Sequence, residues 1–201
     1  IALSLVGSEM CIRDSNKGGT FWDRFVVRVA PAENNLPYRE ASRINIHRDT
    51  WGTNLYHQIN WWAPVSNVEK KNTMIFYPDY FDVPVKNTTS TWDLNIYLAN
   101  RKKGDFSYPS APQLKEDLPS DIKKIPVTIK PGEILCFSGA HLHSSSKEKS
   151  ENTRISFEIR TICENDINSS VQAPNVDCDL QWKFPKIFKK INDNSPLKIT
   201  S

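Results

Sequence analysis

Three of the four histidines in this chain stand next to other groups able to hold a metal ion. The triplet His47-Arg48-Asp49 offers an imidazole and a carboxylate two residues apart, and His141-Leu142-His143 offers two further imidazoles. Arg154 follows His143 by eleven residues, with Ser156 two places beyond it. Extended backbone alternates its side chains with period two, so His47 and Asp49 project to one side, as do Arg154 and Ser156. Two imidazoles and one carboxylate with coordination positions left open are the ligand set that suits non-haem Fe(II). Residue types and spacing therefore point to a metal centre.

Such a site needs strands to carry it, and the chain supplies them. Phe21 to Ala30 is a β-type run stopped by Pro31, and Ile44 and Ile46 alternate with Asn45 and His47, which places the first histidine at a strand end. Trp51 to Asn54 reads as a turn around Gly52. Tyr56 to Val65 is a β-prone run with Gln58, Asn60 and Trp62 on one face and Ile59 and Trp61 on the other. Thr73 to Tyr77 is a strand closed by Pro78. Trp92, Ile96 and Ala99 suggest a helix ending near Gly104. The proline-studded stretch from Ser107 to Pro126 reads as a long loop or lid. Pro131-Gly132 turns the chain into a strand over Glu133 to Ser138, and Arg154 to Ile162 is the last clear strand. Phe184, Ile187, Phe188 and Ile191 form a stripe that predicts a short docked helix. Many short strands and few helices make the fold mainly β, a sandwich or barrel.

The bulk properties narrow the function. A length of 201 residues accommodates one domain with a real core. With 26 basic and 23 acidic side chains, the net charge of +3 is too weak and scattered to argue for nucleic acid or an anionic membrane surface. Lys183, Lys186, Lys189 and Lys190 read as a solvated face, and no apolar run reaches the length of a membrane span. Cys11, Cys136, Cys163 and Cys178 show no metal or disulfide spacing; Cys136 reads as a small core residue, and a reducing cytoplasm is the expected setting. Residues 1–15 resemble a translated sequencing adapter and are set aside as non-native. That leaves 16–201 as a single domain, expected to be truncated before Gly18, with a C-terminal docked tail over 164–201.

Four runs carry a resemblance: Ile46 to Trp51, Gln58 to Pro64, Pro131 to His143 and Thr153 to Phe157. Together they resemble the Fe(II)/2-oxoglutarate-dependent oxygenases, near the phytanoyl-CoA dioxygenase branch, over roughly residues 40 to 163. The resemblance implies a double-stranded β-helix (a jelly roll of the cupin kind) with a few short helices. It implies Fe(II) on His47, Asp49 and His143, 2-oxoglutarate as cosubstrate with its distal carboxylate on Arg154 and Ser156, and O₂ as oxidant. The activity implied is a dioxygenase that couples oxidative decarboxylation of 2-oxoglutarate to hydroxylation of a small molecule. The chemistry agrees, because a guanidinium stays charged when buried and offers a planar two-pronged donor to a carboxylate. Parity alone leaves His141 and His143 both eligible as ligand; the interval to Arg154 matches the family's for His143.

Softer candidates surround this set. Gln58 and Asn60 could bond the cosubstrate or a metal ligand, or simply tie to adjacent backbone. Trp51, Trp61, Trp62, Tyr77 and Tyr80 could line a substrate mouth, with at least half of them core. Arg160 could meet an anionic substrate or pair with Glu158 or Glu164, and His57 reads as a surface or loop residue. A cupin-like isomerase or ligand-binding module that ignores 2-oxoglutarate is the competing reading, and it has no use for a buried Arg154-Ser156 pair. An inactive fragment with an exposed apolar face is the third. Neither the small-molecule substrate nor the oligomeric state is legible.

Overall fold

The ten-residue strand β8, Arg154–Cys163, is the spine of the fold. A computed structural model describes residues 19–32, 44–146, 148 and 150–199. The expectations for residues 1–15 lie outside the described residues. Along one edge β8 pairs antiparallel with β3, Ile59–Pro64, which in turn pairs with β6, Leu135–Ser138. Along its other edge β8 takes two short strands in succession, β2, Val26–Ala30, and β1, Thr20–Trp22.

The expected single run over Phe21 to Ala30 is therefore broken, and the register shows why. Trp22 faces Thr161 and Val26 faces Glu158, so Asp23, Arg24 and Phe25 stand against Ile159 and Arg160 alone. The extra residue is a bulge. Asp23 makes it a polar corner: its carboxylate accepts the Arg160 backbone N–H at 3.0 Å and the Arg160 Nε at 2.6 Å.

A second, three-stranded antiparallel sheet is ordered β5-β4-β7, from Ile125–Pro126, Met74–Phe76 and His143–Ser145. The two sheets meet through one apolar cluster. Trp62 and Phe137 come from the larger sheet, Met74 and Phe76 from the smaller one, and Val127 closes it. Burying such large side chains gives roughly 1.5–3 kcal/mol each, so this cluster holds the sheets face to face. The chain is thus mostly β with antiparallel sheets and few helices: α1, Thr50–Thr53; α2, Leu94–Lys102; α3, Glu164–Asn168. No described helix is long and apolar enough to cross a membrane.

Two expectations are corrected. Residues 184–191 do not form a helix. A 3-10 turn over Pro185–Ile187 leads into β9, Lys189–Lys190, which pairs with the free edge of β1. Phe188 is fully buried in extended backbone while Ile191 is exposed, so the apolar spacing marks no helical face. An open sheet edge offering backbone hydrogen bonds has outweighed a helical pattern. The loop over 107–126 is no lid on the cleft described below. Its Leu114, Leu118 and Ile122 pack against a separate core around Trp51 and Leu142, and Gln113 and Lys115 are tied by backbone bonds to Thr88 and Lys86.

The outer face of the large sheet keeps apolar side chains in solvent. Val27 and Val29 stand opposite Phe157 and Ile155, Phe25 stacks on Phe157, and Phe25, Val27, Val29 and Ile155 are all exposed. Cys136, expected in the core, is half-buried on β6 opposite Trp61. Cys136, Cys163 and Cys178 are free thiols.

Candidate metal centre and anion pocket

His47 and His143 meet because the backbone pairs them. His47 forms an antiparallel bridge with His143, the N–H of each donating to the carbonyl of the other at 2.9 and 3.0 Å. Residues directly opposite in an antiparallel pair send their side chains to the same face. The two imidazoles therefore lie side by side, ring centroids 4.4 Å apart. Phe76 stacks beside the His143 ring and Phe137 meets its edge, so the imidazole is seated on the apolar cluster between the sheets.

Asp49 arrives from the start of α1. It occupies the cap position but makes no side-chain cap bond. Its carboxylate turns instead toward the imidazoles, with Oδ1 3.5 Å from His47 Nε2 and Oδ2 3.7 Å from His143 Nε2. The three ligand atoms all lie within 4.8 Å of one another. Donors bound to one ion at about 2.0–2.2 Å are separated by roughly 3–4 Å, so the group fits a single cation.

The tautomers argue the same way. His47 Nδ1 donates to the Asn45 carbonyl at 2.8 Å, and His143 Nδ1 donates to the His141 carbonyl at 2.9 Å. A carbonyl only accepts, so both protons sit on Nδ1 and both Nε2 lone pairs face the carboxylate. Three electron-rich atoms converge with no proton between them, which is the second-sphere arrangement that prepares imidazoles for a metal.

A relay of amides fixes the carboxylate. Thr53 donates to Gln58 Oε1 at 3.3 Å, Gln58 donates to Asn60 Oδ1 at 2.9 Å, and Asn60 donates to Asp49 Oδ2. Gln58 is fully buried and reaches the site only through Asn60, whereas Asn60 lines the cleft. The relay needs Gly139: a Cβ there would stand 2.7 Å from the Gln58 amide nitrogen.

Electrostatics follow from this packing. Burial alone would raise the Asp49 carboxyl. The neighbouring imidazoles, when protonated, and the Arg160 guanidinium outweigh it and hold Asp49 well below the usual carboxylate range. Burial, then the neighbouring His47, pushes the His143 imidazole down to about 4. An unfolded chain takes up that proton near pH 6.5, the folded chain only near 4, so stability falls as pH drops through this window and is flat for this group below it. The metal-free protein should lose about 2 kcal/mol between about pH 7.5 and about pH 4.5, and His143→Gln should flatten that slope by close to one proton. Urea melts at the two pH values read both.

Across the same cleft lies a cationic pocket. Arg154, Ser156, Glu158 and Arg160 alternate along one face of β8. Two of the guanidiniums are neutralised: Arg160 pairs with Asp23 at 2.5 Å, and Arg28 on β2 pairs with Glu158 at 2.5 Å. Arg160 thus joins neither expected partner, Glu158 or Glu164. Arg154 is buried, packs over the Trp62 ring at 5.5 Å, and makes no hydrogen bond or ion pair with a described residue. Burial and the nearby Arg28 lower it to about 10, which leaves it charged at neutral pH. Ser156, fully buried, has a hydroxyl with no partner either. A buried unpaired cation beside an unsatisfied hydroxyl is costly unless an anion completes it.

The remaining candidates sort simply. Arg28, His47, Asp49, Asn60, Trp61, Trp62, His143, Arg154 and Arg160 all line the cleft. Trp51 and Tyr77 are core, and Tyr80 packs against their cluster. His141 is buried between Phe76 and Phe81 and lies outside the metal group. His57 is half-buried in the turn before β3, away from the cleft. The Arg28–Glu158 pair is what sequence reasoning missed, since neither partner is marked by spacing.

No family model matches the chain, and no curated protein matches it. Among solved structures it is similar to ThoJ, a non-heme monooxygenase in its apo form, at 13% identity and TM-score 0.48, covering 73% of this chain and 47% of that one. It is similar to EvdO2 from Micromonospora carbonacea var. aurantiaca complexed with 2-oxoglutarate, at 9% identity and TM-score 0.46, covering 70% and 51%. A third is the non-heme alpha ketoglutarate dependent carbocyclase SnoK from nogalamycin biosynthesis, at 12% identity and TM-score 0.49, covering 92% and 67%. The chain spans between 27% and 67% of the length of such structures. These likenesses are distant, and the reading of the site rests on its own side chains.

Proposed function

We propose that this protein is a non-haem Fe(II) oxygenase that uses 2-oxoglutarate, built on a double-stranded β-helix and acting on a small molecule by hydroxylation. His47, Asp49 and His143 would hold the iron, while Arg154 and Ser156 would hold the distal carboxylate of the keto acid. One observation carries the reading: the buried Arg154 guanidinium lines the same cleft as a His/Asp/His group whose lone pairs converge, the buried Ser156 hydroxyl follows it on the same face of β8, and neither has a hydrogen-bond partner among the described residues. A cupin-like isomerase would need the second feature but not the first.

Iron with 2-oxoglutarate and O₂ supplies the oxidising power for a C–H bond, releasing succinate and CO₂. The chain's own residues do the rest. Arg154 offers a planar fork to the carboxylate, and Trp62 beneath it fixes the plane of that fork. Ser156 donates its otherwise unused O–H to the same anion. Asn60 fixes which carboxylate oxygen of Asp49 is left for the metal. Ile44, Met74, Trp62 and Phe137 give the cleft apolar walls that exclude water from the reacting centre.

The direct experiment is succinate release by the purified chain with Fe(II) and 2-oxoglutarate across a metabolite panel, with mass spectrometry for an added oxygen atom. Succinate should appear and should vanish in His143→Ala, while His57→Ala keeps nearly the whole signal. Absence of succinate together with no thermal stabilisation by 2-oxoglutarate plus metal would sink the proposal.

A further inference from the structure

One guanidinium is buried beside the metal group yet does not line the cleft. Arg48 lies between His47 and Asp49 in the chain and is 2% exposed. All five of its N–H donors are used. Nε donates to Asp177 Oδ2 at 3.1 Å. One terminal nitrogen donates to the carbonyls of Ala140 at 2.6 Å and Phe81 at 3.3 Å, and the other to those of Tyr80 at 2.7 Å and Val83 at 2.9 Å. Asp177 is equally occupied: Oδ1 accepts from Trp51 Nε1 at 2.7 Å, and Oδ2 also accepts the Val85 N–H at 3.1 Å.

Three of these bonds lead back to a candidate ligand. Trp51 stands two residues after Asp49, within α1. Ala140 stands three residues before His143. Phe81 packs its ring on His141 at 4.4 Å, and the His141 carbonyl holds His143 Nδ1. We propose that the Arg48–Asp177 pair is a positioning brace that sets the mutual spacing of His47, Asp49 and His143, and so makes the C-terminal segment carrying Asp177 part of the metal site. The inference rests on the reading that these three residues bind a divalent metal.

Stability alone does not explain such a pair. A buried ion pair seldom outperforms well-packed apolar side chains, because desolvation of both charges offsets their attraction. A rigid fork with five directed donors does what an apolar contact does not: it fixes the angles and separations of the segments it joins. Ligands held by separate segments need that constraint, and groups that orient metal ligands typically change affinity by about 10–100-fold when altered.

The test is a Co(II) titration of the full chain, followed through the d–d absorption bands, beside a metal-free thermal melt. Asp177→Asn keeps size and the Trp51 acceptor but loses the charge. Arg48→Lys keeps the charge but loses the fork. Both should bind Co(II) about 10–100-fold more weakly than wild type, with shifted bands. Phe188→Leu, in the distant core around Phe21 and Ile162, should lower Tm while leaving the Co(II) affinity and spectrum intact. If Asp177→Asn fails to fold, Trp51→Phe removes one donor to Asp177 and should weaken Co(II) binding several-fold. Wild-type Co(II) affinity and bands in the brace variants, with only Tm reduced, would overturn the brace. Wild type that binds no Co(II) would overturn the metal reading first, and the brace with it.

Discussion

Asp49→Asn should give a chain that folds, melts no lower than wild type and binds divalent metal at least about 100-fold more weakly. The metal-free site explains both halves. His47 and His143 each carry their proton on Nδ1, so two Nε2 lone pairs and a carboxylate face one another without a hydrogen between them. An asparagine amide has the same shape, and its carbonyl oxygen can still accept from Asn60. Its NH₂ would then point at the imidazoles and supply the donor they lack. The variant should therefore relieve a conflict that the native residue keeps for function, a common trade at active sites. Losing an anionic ligand removes the charge that offsets the cation, which is why the affinity loss should exceed that of any supporting residue. A Co(II) titration and a metal-free melt measure the two quantities together. Unchanged metal affinity in Asp49→Asn would show that the carboxylate is not a ligand.

How far such a site can be read from residues alone depends on whether the chemistry is local. The strand over 154–163 was legible because apolar residues alternate there with polar ones, and those over 59–64 and 135–138 because short β-prone runs are bounded by Pro64 and by the Pro131-Gly132 turn. The inward parity of Asn60 and Trp62 followed from strand alternation. That His47 should touch His143 was not readable in the pairing itself, since a single bridge carries it. The choice between His141 and His143 needed the turn at Ser138, whose carbonyl accepts the His141 N–H and delays the strand until His143. The C-terminal stripe misled because Phe188 fills an end of the sheet in extended form just before β9, where edge pairing decides. Arg48 was invisible as a brace, because its five partners lie on segments far apart in sequence and four of its bonds go to backbone carbonyls that carry no residue signature.

The cationic pocket and the metal group constrain each other through charge. Arg28–Glu158 and Arg160–Asp23 are closed pairs, which leaves one positive charge on Arg154 to be met by an incoming anion. Asp49 contributes one negative charge at the opposite side of the cleft, so a dication there would leave the cleft short of anions by two. A dicarboxylate brings two negative charges and can span both places, whereas a neutral ligand satisfies neither. The site thus selects for a doubly charged small anion on electrostatic grounds alone, given the metal.

Arg154→Met should accordingly separate binding of the keto acid from everything else the protein does. Removing the guanidinium takes away a charge-assisted, two-pronged contact and leaves the distal carboxylate facing Trp62 and Ser156 with no counter-charge. Breaking a buried pair in this way costs about 3–5 kcal/mol, or roughly 10²–10³-fold or more in affinity for 2-oxoglutarate. Succinate release should fall with it. Metal binding should stay within about threefold of wild type, because Arg154 makes no hydrogen bond or ion pair with His47, Asp49 or His143. Stability in the absence of ligand should rise, since a buried cation with no partner among the described residues is replaced by an apolar side chain of similar length on the same aromatic ring. The informative result is the opposition of signs: a higher Tm alone and a lost shift with 2-oxoglutarate. A variant that melts lower than wild type while keeping its response to 2-oxoglutarate would mean that Arg154 holds the sheet together and that the anion, if one binds, is held elsewhere.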